Sequence, residues 1–185
     1  MRFVAAIGAA LLVLAAGPVA AQDREGEDHP LLPRYPGAVI DDYRAPSLDE
    51  ITIPTGQITS QDASGNRQVM EGQVTQIGYR VEPAVAPLQI QRYYADRLAK
   101  DGFQTVFSCT GPACGRDMGA LIFNSGKVAP PGFDGLFNDR IRVVVARRGA
   151  TWMLLHIADS SDRSIIYEAV VEDAKPAEAP PAGGE

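Results

Sequence analysis

From Trp152 to Ile157 the chain reads Trp, Met, Leu, Leu, His, Ile, which is apolar on both parities of a strand. Alternate strand side chains point to opposite faces, so such a segment is stable only in the middle of a sheet covered on both sides. Whatever else the chain builds must supply strands on either flank, a helix over one face and further cover over the other. The flanking segment Ile141–Ala146 reaches it through Arg147, Arg148, Gly149 and Ala150, a composition suited to a hairpin turn.

Other strands follow from pattern. Val39, Ile40 and Tyr43 open one, and Ile51 and Ile53, alternating with Thr52, make a second that stops at Pro54. Gln57 to Arg67 is polar and holds Ser64, Gly65 and Asn66, the makings of a hairpin tip or a loose loop. A longer strand runs from Gln68 to Val81. Its Met70 and Val74 share one parity while Ile77, Tyr79 and Val81 share the other, which predicts a bulge or sharp twist near Thr75 and Gln76. Val106 and Phe107 form a strand ahead of Cys109, and Ile165 to Val171 gives the last.

One helix is clear, from about Pro87 to Asp101. Proline suits the first turn, Ile90, Tyr93, Tyr94 and Leu98 fall on one face, and Gly102 supplies the left-handed residue that ends it, pressing Phe103 onto Leu98. Met118 to Asn124 reads either as a short strand or as a helical turn. Together these give an α+β domain, an antiparallel sheet of six to eight strands with one main helix packed on it.

Residues 1–21 carry a basic start at Met1 and Arg2, an apolar run from Phe3 to Ala16, and a small-residue exit through Gly17, Pro18, Val19, Ala20 and Ala21. This is the grammar of a secretory signal peptide, and the run is shorter than the roughly 20 residues of a spanning helix. Cleavage is expected between Ala21 and Gln22, with Ala20 as the alternative. The domain plan is then a signal peptide (1–21), a lead-in that is flexible and then extended (22–37), one α+β domain (38–173), and a disordered tail (174–185) made almost only of Ala, Pro, Glu and Gly. No later stretch suits a membrane span, so no transmembrane segment is expected in the mature chain.

The chain has 17 basic and 23 acidic residues, a net charge of −6. That sign argues against nucleic acid as a partner. In an oxidising compartment its two cysteines, Cys109 and Cys114, read as a disulfide. A redox-active pair is the competing reading, but four intervening residues depart from the CxxC spacing that lowers a thiol pKa. Metal-ligand spacing is absent, and no cofactor is expected.

Four segments carry a resemblance: DHPLLPRYPG (Asp28–Gly37), EGQVTQIGYRV (Glu71–Val81), RYYADRLAKDGF (Arg92–Phe103) and FSCTGPACG (Phe107–Gly115). In combination they resemble a domain of unknown function that precedes the peptidoglycan-binding module in OmpA-like outer-membrane proteins of Gram-negative bacteria. The resemblance implies a periplasmic location, with possible association with the outer membrane. It implies no activity, and neither peptidoglycan binding nor a porin barrel carries over.

Candidates for chemistry are few. His29 lies beside Asp28 in the lead-in, and His156 lies in an apolar strand where a core histidine is the ordinary reading. Asp41–Asp42 and Asp49–Glu50 are adjacent carboxylates, expected on opposite faces of a strand rather than converging on a substrate. Phe133, Leu136 and Phe137 sit in a proline- and glycine-rich loop and either tuck onto the core or form an interaction patch. No hydrolase, metalloprotease or nucleotide motif occurs. Two functions remain: a non-catalytic envelope module binding a protein or cell-wall component, and a periplasmic hydrolase whose site is assembled from distant residues.

Overall fold

The computed structural model describes residues 22–60, 62–125 and 140–177. They form six strands and two α-helices: β1 (Ala38–Pro54), β2 (Arg67–Val81), α1 (Pro87–Lys100), β3 (Gln104–Thr110), α2 (Met118–Ser125), β4 (Arg142–Arg148), β5 (Thr151–Asp159) and β6 (Ser164–Pro176). The sheet is open and antiparallel throughout, in the order β1-β2-β6-β5-β4-β3. Its fold class is α+β. The helix count differs from expectation, because Met118–Ser125 forms a second helix after a 3₁₀ turn at Gly111–Cys114. Among the described residues no helix is long and apolar enough to cross a membrane.

β5 lies between β6 and β4, and both its faces are buried. On one face Met153, Leu155 and Ile157 join Ile166, Val170, Ile77 and Tyr79 beneath Ile90, Tyr94 and Leu98 of α1 and Leu32 of the lead-in. On the other, Trp152, Leu154 and Ala158 join Val143, Val145, Tyr167 and Val171 against Met118, Leu121 and Ile122 of α2 and Cys114.

This two-faced arrangement corrects the reading of β2. Met70 and Val74 belong to the α2-side core, and Ile77, Tyr79 and Val81 to the α1-side core. The parity change marks a transfer from one layer to the other, and β2 pairs with β6 without interruption from Gln73 to Val81. No register shift against β6 falls near Thr75 and Gln76; the β1–β2 ladder shifts instead between Ile40 and Asp42 and between Arg44 and Ser47 of β1. These two shifts also join the two expected short strands into one of 17 residues. Pro46 looks like a breaker, but β1 is an edge strand and the bulge absorbs a residue without an N–H.

α1 ends as its sequence requires. Gly102 has φ of 77°, its N–H donates to Ala99 O at 3.2 Å, and Phe103 N–H donates to Leu98 O at 2.9 Å, the two bonds of a Schellman cap. The β4–β5 turn has two residues, Gly149 with φ of 58° followed by Ala150.

The 3₁₀ turn locks the β1–β2 loop to the α2 layer. Ile58 N–H donates to Cys114 O at 2.9 Å and Asp117 N–H to Ile58 O at 3.1 Å. Gly115 sits between these bonds with φ of 90° and ψ of 150°, a region open essentially to glycine. A Cβ there would lie 2.1 Å from Ile58 O. At Gly149 a Cβ would meet nothing within 4 Å. Gly115→Ala is therefore expected to cost about 3 kcal/mol or more, and Gly149→Ala about 1 kcal/mol. Thermal unfolding should place the first several degrees below the second; equal losses would mean that Ile58 is not wedged against the turn.

Candidate functional site

The lead-in holds the densest set of polar side chains. Asp23 accepts from Ile40 N–H at 2.7 Å and from Arg34 Nη1 at 2.7 Å, so a stretch expected to be flexible is docked along the start of β1. Arg34 Nε donates to Asp28 Oδ1 at 2.6 Å, and Tyr79 Oη donates to the same oxygen at 3.2 Å. Tyr35 N–H donates to Tyr94 Oη at 3.1 Å, and Tyr93 Oη to Arg34 O at 3.1 Å. The prolines that keep Asp28–Gly37 extended thus let it lie as a strap across α1 and β2.

His29 is 3% exposed. Its Nδ1 accepts from Leu31 N–H at 3.3 Å, which leaves the proton on Nε2, 3.4 Å from Glu172 Oε2. Desolvation lowers its pKa and outweighs the opposing pull of Glu172. The imidazole is a neutral clasp between strap and β6.

Beneath the strap lies Glu168, a group that pattern reading passed over as part of the last strand. It faces the α1-side core between Ile77 and Leu155, its partners on the neighbouring strands. Its exposure is 0%. Both carboxyl oxygens, and Thr75 Oγ1 on the same face, have no hydrogen-bond partner among the described residues. Burial first, and the Asp28 carboxylate second, hold its pKa well above the usual carboxyl range. Burial does the same to the hydroxyls of Tyr79 and Tyr94.

His156 occupies the opposite face, beside Val143 and Tyr167. It is 1% exposed and neither ring nitrogen has a side-chain or backbone partner among the described residues. Desolvation takes its pKa down to about 4. Its only signal in the sequence is a lone polar residue in an apolar run, which is how it behaves.

These two groups tilt the stability profile in opposite senses. Glu168 has a raised folded pKa, so its contribution is complete below about pH 4.3, the unfolded value, and is lost as pH rises toward the folded value. His156 has a lowered one, so its contribution is complete above about pH 6.5 and is lost as pH falls to about 4. Urea denaturation across pH should show Glu168→Gln flattening the alkaline decline and His156→Gln flattening the acid decline. Within each window the gap to wild type should change by up to about 1.4 kcal/mol per pH unit. Variant curves running parallel to wild type would show that the folded state leaves both groups as they are in the open chain.

The carboxylate pairs behave differently from expectation at one place. Asp41 is the extra residue of the first β1 bulge, and its Oδ1 lies 3.1 Å from Arg80 Nε and 3.6 Å from Arg24 Nε. Asp42 lies 4.0 Å from the same Arg24, so the bulge brings the two carboxylates toward one guanidinium. Burial, opposed by Arg24, raises the pKa of Asp42. Asp49 Oδ1 accepts from Glu50 N–H, an exposed local contact.

Cys109 is the last residue but one of β3 and Cys114 closes the 3₁₀ turn at disulfide distance, with Cα atoms 5.0 Å apart. Among the described residues no cluster of His, Cys, Asp or Glu could hold a metal. Gln22 lies exposed at the start of the described lead-in. Ala21 and the loop residues Phe133, Leu136 and Phe137 lie outside the described residues. β6 continues through Pro176, so its last three residues fall in the stretch expected as tail.

The two sheet edges are unlike each other. β1 carries Asp41, Asp42, Arg44, Pro46, Asp49, Glu50 and two bulges, the usual protections against strand addition. β3 reads Gln, Thr, Val, Phe, Ser, Cys, Thr, with no charge and no proline. It has one bulge, at Val106, whose side chain is 39% exposed. Open hollows of about 630 Å³ at Glu25, Gly26, Glu27 and Tyr43 and of about 280 Å³ at Pro87, Leu88, Thr110 and Arg142 complete this surface; neither is lined by His29 or His156. No family model matches the chain, and no curated protein matches it.

Proposed function

We propose that the chain is a non-catalytic module of the Gram-negative envelope, exported by residues 1–21 and docking an extended segment of a protein or cell-wall partner along the open edge of β3. The observation that carries this reading is the contrast between the edges. A seven-residue uncharged strand stands at one rim with no further strand paired to it among the described residues, while the other rim is guarded. The address rests on the leader-like start, on the cysteine pair at disulfide distance, and on the resemblance to the domain that precedes the peptidoglycan-binding module in OmpA-like proteins. Phe133, Leu136 and Phe137 are the proposed second element of the interaction surface.

Two measurements test it. The edge is addressed by crosslinking in envelope extracts with wild type and with Val106→Lys/Ser108→Lys, both exposed positions. Surface changes of this kind should move Tm by no more than about 2 °C, and the partner captured by wild type should be lost. Capture that survives the two lysines removes β3 as the docking edge. For the address, intact mass of the periplasmic fraction should give a chain beginning at Gln22 and lighter than its reduced form by one pair of hydrogens. A cytosolic product with residues 1–21 attached defeats the export reading.

A further inference from the structure

The walls around Glu168 differ in how firmly they are held. β2 and β5 flank it through the ladder partners Ile77 and Leu155, and α1 covers that face of the sheet. The remaining wall is the strap, Asp28–Gly37, which puts Leu32 into the same core at 0% exposure. Among the described residues the strap's backbone-to-backbone hydrogen bonds are local: Leu32 N–H donates to His29 O at 3.0 Å and Ala38 N–H to Tyr35 O at 2.9 Å. Its bonds to α1, β2 and β6 run through the side chains of Gln89, Tyr93, Tyr94, Tyr79 and Glu172. It joins β1 at the exposed Gly37, where φ is 81° and no atom lies within 4 Å of where a Cβ would stand. A glycine with such freedom serves as a hinge.

The titratable and charged groups about this carboxyl come from every wall. The strap contributes Asp28, His29 and Arg34, β2 contributes Tyr79, α1 Tyr93 and Tyr94, β6 Glu172, and β1 Tyr43 opposite Ile77. β5 presents only Met153, Leu155 and Ile157 on this face. Arg34 is paired with Asp23 and Asp28 and lies 5.7 Å from the Tyr79 ring centroid, so its charge is committed within the lead-in. Burial raises the hydroxyls of Tyr43, Tyr79 and Tyr94 beyond the ordinary tyrosine range, and His29, lowered by desolvation, titrates on the acid side. Glu168 is then the group whose ionisation adds charge beneath the strap as pH rises from neutrality.

Ionised in place, Glu168 would be an anion without a hydrogen bond among the described residues, acting against the Asp28 carboxylate on the strap. Burial makes both the lost hydration and the repulsion large. One movement removes both, because lifting the strap takes Asp28 away and lets water reach the carboxylate. We propose that the strap is a pH-gated cover, seated while the Glu168 carboxyl keeps its proton and swung out about Gly37 when that proton leaves. Leu32 then vacates an apolar seat among Ile77, Tyr79, Ile90, Tyr94 and Ile166. Sheet and helix stay in place, since among the described residues neither takes a backbone-to-backbone bond from Asp28–Gly37.

Trypsin cleavage after Arg34 reads the open state, because a half-buried arginine tied to Asp23 and Asp28 reaches a protease only when the strap is out. Wild type and Glu168→Gln are digested across neutral and mildly alkaline pH, with rates normalised to an unstructured peptide spanning Asp28–Gly37 and fragments identified by mass. One proton links the two states, so the wild-type rate should climb by up to about tenfold per pH unit. Cleavage after Arg142 in β4 should stay slow throughout. Glu168→Gln, neutral at every pH, should give a flat, slow profile. His29→Gln loosens the clasp to Glu172 and should raise the rate at every pH without changing its slope. A second measurement needs no variant and decides the matter if Glu168→Gln does not fold: in carbon NMR of wild type, the Glu168 carboxyl should titrate over the same pH interval in which the Leu32 methyl signals move to open-chain positions.

A flat wild-type profile, a climb that Glu168→Gln retains, or Leu32 signals that stay fixed while the Glu168 carboxyl titrates overturns the cover. So does cleavage after Arg142 rising in step with cleavage after Arg34, which would mean that the whole fold opens.

Discussion

The structure depends on a sheet that is apolar on both faces. β5 and β6 bury side chains of both parities through most of their lengths, and neither face tolerates water. Among the described residues α1 is the longer of two helices, and with the strap of the lead-in it covers one side. The other side is covered by the segment after β3: a 3₁₀ turn tied by a cysteine pair and a two-turn helix. Eight residues of α2 would be marginal as an isolated helix. They are stable here because Met118, Leu121 and Ile122 close the core against β4, β5 and β6. The covalent clip at Cys109 and Cys114 fixes where that helix begins.

The same demand explains the strap. α1 crosses the sheet and leaves part of β2 and β6 open near Tyr79 and Glu168. Leu32 fills that gap at 0% exposure, and the hydrogen bonds of Asp28, Arg34 and Tyr35 hold it there. Closing the gap encloses a carboxyl and a hydroxyl without partners among the described residues, Glu168 and Thr75. An unpartnered buried carboxyl is tolerable only in its neutral form, so the strap and the protonation of Glu168 favour the same state. The clasp between His29 and Glu172 sits at the margin of this layer and leaves the imidazole neutral.

Much of this is legible in the amino-acid order, and the failures share a cause. Trp152–Ile157 announces a central strand because parity is a local property. Gly102 and Phe103 announce the helix cap for the same reason. Met70 and Val74 against Ile77 and Tyr79 mislead because parity names a face only when a single face is buried. With two cores, a strand can serve each in turn without a bulge. The docking of Asp23, Asp28 and His29 depends on partners 17, 51 and 143 residues away in sequence, Ile40, Tyr79 and Glu172, and no periodicity carries such a signal. Glu168 has one available clue, a lone acid within Ile165–Val171, where neighbours on both sides are apolar.

The distribution of polar groups then separates maintenance from recognition. Polar atoms enclosed in the cores, those of Glu168, Thr75 and His156, have no exposed surface through which to meet another molecule. What remains presented lies toward the β3 side of the sheet: an uncharged edge strand, and at its N-terminal end two arginines stacked on buried rings. β1 faces the opposite way, with acids, a proline and two bulges along it. Electrostatic and steric protection on one rim and exposed donors on the other give the molecule a polarity that its evenly spread sequence charge conceals. A partner approaching β1 meets acidic side chains and an irregular backbone, whereas one approaching β3 meets an uncharged edge strand and, at its N-terminal end, the exposed Arg147 and Arg148. Because Phe103 both seals the α1 cap and carries Arg148, the presentation of that charge is tied to the packing of the helix that the whole α1-side core requires.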